Sequence, residues 1–175
     1  HYQARMEALW QHSVEIAAIS NVLAHLTTGL NPEKAFLIGL LHDVGAQVVL
    51  SYANKYPNRL PEPEDLERAI QCLRARIGEE VMKMWRFGTD YIDAAREAEC
   101  WERDPAPQPD YCDVVVAAQL HSFIGRPAML QAPNFYEVAA FGKLAGGHLT
   151  PELSITILKK AREQITLTQQ LLASA

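Results

Sequence analysis

Apolar and polar positions alternate along this chain with the period of an α-helix almost throughout, and no run alternates as a strand would. In the first segment, from Gln3 to Leu26, Leu9, His12, Ile16, Ile19 and Leu23 recur at spacings of 3, 4, 3 and 4, which is one helix face. His12 therefore points inward among aliphatic side chains. The next segment opens with Asn31 as N-cap and Pro32 at the first helical position, where a missing N–H costs nothing. From Ala35 to Leu41 it carries no polar side chain, which predicts a central, buried helix. That run ends in His42 and Asp43, with Gly45 as the expected bend before "AQVVLSYANKY" continues as helix.

The three prolines of "PNRLPEPED" (57–65) predict a loop. Helix resumes from Glu64 to about Trp85, with Leu66, Ile70, Leu73, Ile77 and Val81 inward and Arg74, Arg76 and Lys83 on the solvated face. A turn at "RFGTD", a short helix over "DYIDAAREAECWE" and a second loop at 103–110 ("RDPAPQPD") follow. Asp110 or Asp113 is placed to cap the next helix, "VVVAAQLHSF". After "GRPAMLQAPN" come "FYEVAAFGKLAG" and a final amphipathic helix from Thr150, with Pro151 in its first turn. No internal repeat or low-complexity segment interrupts the pattern. The prediction is an all-α single domain over residues 1–175, with six to eight helices of unequal length.

Composition narrows the function classes. At 175 residues, 49% apolar and 21% charged, the chain has enough material for a real core. A formal net charge of -5 argues against nucleic acid or an anionic membrane as partner. The apolar stretches read as shorter than the roughly 20 residues of a membrane span, and no signal peptide is visible, so a cytoplasmic location is expected. Cys72, Cys100 and Cys112 are an odd count without CxxC spacing, which reads as reduced thiols and not as a zinc site. The opening "HYQARMEALWQ" has no initiating methionine and enters helix at once, so the expectation is a fragment of a longer chain.

Divalent metals in hydrolytic sites take neutral imidazole nitrogens and carboxylate oxygens from rigid elements. His12, His42 and Asp43 are such donors, each also open to a plainer reading as a core histidine or a polar helix-end pair. Together they point to a real or ancestral metal site, vestigial or weak, for manganese, iron or nickel if it is occupied. With no metal, a partly buried Asp43 is expected to pair with His12 or His42 and favour imidazolium beside carboxylate. His121 lies two residues beyond Gln119, a turn of about 200° on a helix, and is expected to face solvent or a loop. His25 and His148 sit near helix ends, where a cation meets the dipole favourably.

"LWQHSVEIAAISNVLA" followed by "NPEKAFLIGLLHDVGAQVVL" resembles the HD superfamily of metal-dependent phosphohydrolases, and more narrowly the HDOD domain of bacterial signalling proteins. "RIGEEVMKMWRFG" (76–88) stands where that family has a further motif, and the likeness runs over roughly residues 5–125. The resemblance implies an HD-like helical fold and His12, His42 and Asp43 as the metal ligands. It also exposes departures, two in the site and one in length. An HD phosphohydrolase completes its site with a later aspartate, where this chain has Gln119, a poor ligand for a hard cation. Ala98 and Glu99 replace a histidine pair of other relatives, leaving Glu97, Glu99 and Asp113 as substitutes to consider. The family also begins with a separate helical half that is absent ahead of His1, so the chain is either cut or divergent.

Three functions follow. The first is a non-catalytic HDOD-type signalling module with a degenerate metal site, acting through contacts with other signalling proteins or domains and needing no cofactor. The second is a metal-dependent phosphohydrolase acting on a nucleotide or cyclic dinucleotide. It would need positive groups for phosphate, yet there is no Gly-rich phosphate loop and no Lys or Arg from Ala35 to Tyr52. The third is a small ligand bound in the old catalytic cleft by His12 and Asp43, with Glu97, Glu99 and Gln119 as further contacts.

Overall fold

A computed structural model describes residues 2–59 and 62–173. Among these residues the chain is helical and has no strand. The helices are α1 (Tyr2–His25), α2 (Pro32–Leu41), α3 (Val44–Lys55), α4 (Pro63–Met84), α5 (Thr89–Glu97), α6 (Tyr111–Ser122), α7 (Ala139–Lys143) and α8 (Pro151–Ala173). The expected loop at 57–65 holds a single tight turn, Pro57–Arg59, and ends early because Pro63 already stands in the first turn of α4; Leu60 and Pro61 lie outside the described residues. Asn31 caps α2, its side-chain oxygen accepting the Lys34 N–H at 2.7 Å. At α6 both aspartates serve: Asp110 accepts the Asp113 N–H at 2.8 Å and Asp113 accepts the Asp110 N–H at 3.1 Å.

The main core joins α1, α2, α5, α6, α7 and α8 through side chains such as Ile16, Leu23, Ile38, Val115, Leu120, Phe141 and Ile157. The central helix is α6, not α2: every residue from Cys112 to Ser122 is buried. α2, apolar from Ala35 onward, leaves one face half open, with Phe36 36% and Leu37 39% exposed. Two smaller clusters hold α3 in place, one of Val49, Leu50, Ala53 and Leu66 and one of Val44, Met82 and Ala95. On α4 the inner row is Leu66, Ile70, Arg74, Ile77 and Val81, while Leu73, expected inside, is 45% exposed.

Two glycines bracket the break between α2 and α3. A Cβ on Gly39 would stand 2.8 Å from Ser20 Oγ and 3.0 Å from Ala17 Cα, so α2 lies directly on α1. A Cβ on Gly45 would stand 1.9 Å from the Arg74 carbonyl oxygen, so α3 lies backbone to backbone on α4. The break falls at His42–Asp43, and Gly45, expected as the bend, is instead a point of helix contact. By length and composition the whole run Pro32–Lys55 would suffice to cross a membrane, which the sequence reading missed. It is nevertheless two helices, and 56% of its most apolar window is buried inside the fold.

Candidate functional site

Because α2 lies close on α1, the turn that follows α2 meets the inward face of α1. His12, His42 and Asp43 each bring a donor atom within 4.8 Å of the others, as their sequence positions predicted. The two imidazoles meet edge-on, ring centroids 5.4 Å apart. His42 is buried, and its Nδ1 donates to the Gly39 carbonyl at 2.6 Å. A carbonyl only accepts, so the proton sits on Nδ1 and Nε2 carries the lone pair. That Nε2 is buried with no hydrogen-bond partner. Metal-bound histidines are held in this way, one ring nitrogen tied to a backbone carbonyl and the other free for the ion.

Charge in the site departs from the sequence expectation. Burial is the main cause holding both His12 and His42 down to about 4, with the neighbouring ring and Arg74 adding to it for His12. Both imidazoles are therefore neutral at pH 7, not the expected imidazolium. Burial raises the Asp43 carboxyl above the usual range, and the opposing influence comes first from Arg74. Arg74 Nη1 lies 3.6 Å from Asp43 Oδ1, and Nη2 pairs with Glu99. Its side chain is only 20% exposed, so the assignment of Arg74 to the solvated face is corrected. The close α3–α4 approach at Gly45, whose neighbour across the contact is the Arg74 backbone itself, brings this guanidinium to the site.

The remaining candidates separate. Glu99 joins the site through Arg74, and with His42 and Asp43 it lines a cleft of about 230 Å³. On the His12 side, Asp43 and Arg74 also line a second cleft of about 360 Å³. Gln119 is buried and donates a side-chain N–H to the Ala98 carbonyl at 2.8 Å, and as a neutral amide it adds no negative charge to the three. Glu97 and Asp113 are taken by Arg103, at 2.9 and 2.7 Å, in a partly buried ion cluster that also binds Asp110 and fastens the 103–110 loop. His121 does face away from Gln119, but it is fully buried, because α6 has no solvent face.

A family model for the HDOD domain matches residues 1–100, more than half of the chain. The chain belongs to the HDOD family. Its fold is similar to the crystal structure of a "putative metal-dependent phosphohydrolase" from Shewanella amazonensis SB2B, with a TM-score of 0.69 and 23% identity. That likeness covers 89% of this chain and 59% of the Shewanella protein, so this chain spans about three fifths of that protein's length. No curated protein matches the sequence. Within this HDOD chain, Arg74 is the site residue that sequence reasoning missed. A signal for it existed, since position 74 falls in the row 70, 74, 77, 81 of the inner face of α4.

The donor set fits a divalent cation in part. Two neutral imidazoles, one with an orphaned buried nitrogen, and one carboxylate are three suitable ligands. In charge they do not fit: Arg74 already balances Asp43, and among the described residues no second carboxylate joins the three donors.

Proposed function

We propose that this HDOD chain is a non-catalytic signalling module in which the Arg74 guanidinium takes the place beside Asp43 that a catalytic cation would need. The observation that carries the reading is the Arg74 bridge from Asp43 to Glu99. A hard cation is held by an excess of negative oxygen ligands, and here Asp43, the carboxylate that meets the histidines, is already matched. Gln119 adds to the case, because a neutral amide brings no negative charge to hold a cation. The clefts also offer little to phosphate. Arg5 pairs with Glu67, and Arg96 with Asp93 and Glu97, so their cations already have carboxylates. The module acts by contact with other signalling proteins or domains in the bacterial cytoplasm, with neither nucleic acid nor membrane as partner.

The second reading is a metal-dependent phosphohydrolase acting on a nucleotide or cyclic dinucleotide. It is favoured by the unpartnered His42 Nε2 and by the neutral form of both rings. A cation there would be held by His12, His42 and Asp43 and would supply an activated water for attack on a phosphate ester. Turnover assays separate the two. Purified protein supplied with manganese, nickel or iron is offered phosphomonoesters, nucleotides and cyclic dinucleotides, and the expected result is no turnover above background. Robust turnover abolished by His42→Ala would establish the enzyme and overturn the first reading.

A further inference from the structure

A cavity of about 550 Å³ lies at the opposite end of the sequence from the HDOD match, between the turns at 124–136, α7 and the start of α8. It is larger than the two clefts that Asp43 and Arg74 line together, at about 230 and 360 Å³. Its walls include Met129, Phe135, Tyr136, Phe141 and Ile155, and none of its described lining residues is charged. A pocket of this size with apolar and aromatic walls and one or two fixed polar groups is the usual form of a small-molecule site.

Of the polar lining residues Asn134, Tyr136 and Ser154, the buried one is Ser154, in the first turns of α8, whose orientation is set by His121. His121 Nδ1 is 2.7 Å from the Ala117 carbonyl, and Nε2 is 3.0 Å from Ser154 Oγ. The carbonyl can only accept, so Nδ1 carries the proton and Nε2 the lone pair. Ser154 must then donate its hydroxyl proton to Nε2, and its oxygen is left only as an acceptor. The arrangement is stiff: the imidazole is fully buried and stacks on Phe141, with centroids 5.3 Å apart and planes 3° from parallel.

We infer that this cavity binds a neutral, largely apolar and aromatic small molecule that donates one hydrogen bond to Ser154 Oγ. The absence of charge along the described lining selects against a carboxylate or phosphate, since a desolvated anion would find no cationic partner there. A ligand with a phenol, indole or amide N–H meets this acceptor, and an ether of the same shape does not.

The full chain is titrated by calorimetry with 4-phenylphenol, with its methyl ether and with biphenyl-4-carboxylate. The phenol is expected to bind about fivefold more tightly than the ether, the ratio of one net hydrogen bond, and the carboxylate not measurably. Ser154→Ala should bring the phenol to the affinity of the ether, and Ser154→Thr, which keeps the hydroxyl, should restore the preference. Ile155→Trp, at a rim residue 52% exposed and therefore compatible with folding, should abolish binding of both. Equal affinity for all three compounds, a preference that survives Ser154→Ala, or no binding of any of them would overturn the inference. So would a self-associating chain made monomeric by Ile155→Glu, which would assign the face to a second copy.

Discussion

Replacing Arg74 by methionine keeps most of the side-chain length and removes the charge. In the folded chain Arg74 Nη1 lies 3.6 Å from Asp43 Oδ1, with 20% and 10% of the two side chains exposed. At an effective dielectric constant of about 20 that separation is worth about 4–5 kcal/mol of Coulomb attraction. Desolvation of the two ions offsets much of it, and the second partner, Glu99, is nearly half exposed and contributes little. Stranding a buried carboxylate typically costs about 3–5 kcal/mol, but Asp43 can relieve part of this by taking up a proton. The expected net loss for Arg74→Met at neutral pH is about 2–3 kcal/mol, or roughly 4–10 °C in melting temperature for a chain of this size. Urea unfolding of both proteins in chelator should show the loss in the midpoint with an unchanged slope. The deficit should shrink in acid, because Asp43, whose carboxyl burial already raises, becomes neutral first. A variant as stable as the parent in chelator would refute the claim that Arg74 compensates Asp43.

Two further perturbations test the construction of the site. His12 and His42 are held down to about 4 from 6.5, so the unfolded chain binds protons that the folded chain does not. Stability should therefore fall as pH drops from about 6.5 toward about 4, by up to about 1.4 kcal/mol per pH unit for each ring. Urea midpoints at about pH 7.5 and about pH 5 measure it, and equal midpoints would contradict neutral, buried imidazoles. Gly45→Ala places a methyl 1.9 Å from the Arg74 carbonyl oxygen, so α3 and α4 must separate. A cost of about 3 kcal/mol is expected, and a melting temperature equal to that of the parent would show that the helix contact is not tight.

The fold was legible because this sequence states its helices locally. Leu9, His12, Ile16, Ile19 and Leu23 mark one face of α1, and Asn31-Pro32 and Pro151 mark helix starts that the structure keeps. His12, His42 and Asp43 were legible for the same reason, the first by its place on an apolar stripe and the others by ending an apolar run. What periodicity cannot supply is which neighbour covers a helix. The apolar α2 reads as central, yet α6 fills that place, so a side chain turned away from Gln119 still meets the core, as His121 does. Arg74 was hidden by residue type: a charged residue defaults to solvent, and the burial that overrides this comes from Asp43 across the Gly45 contact, some 30 positions away in sequence. The family match ends at residue 100, whereas the Ser154–His121 pair depends on helices that follow it.

A melting scan in chelator, followed by addition of manganese or nickel, tests most directly whether Arg74 holds the place of a cation. A bound ion stabilises the folded chain according to its concentration and affinity. The wild-type melting temperature should not change between chelator and metal, whereas Arg74→Met, freed of the competing charge, should be raised by nickel. A rise of several degrees in the wild type, lost in Asp43→Ala, would contradict the account and show that His12, His42 and Asp43 hold a metal despite Arg74 and Gln119.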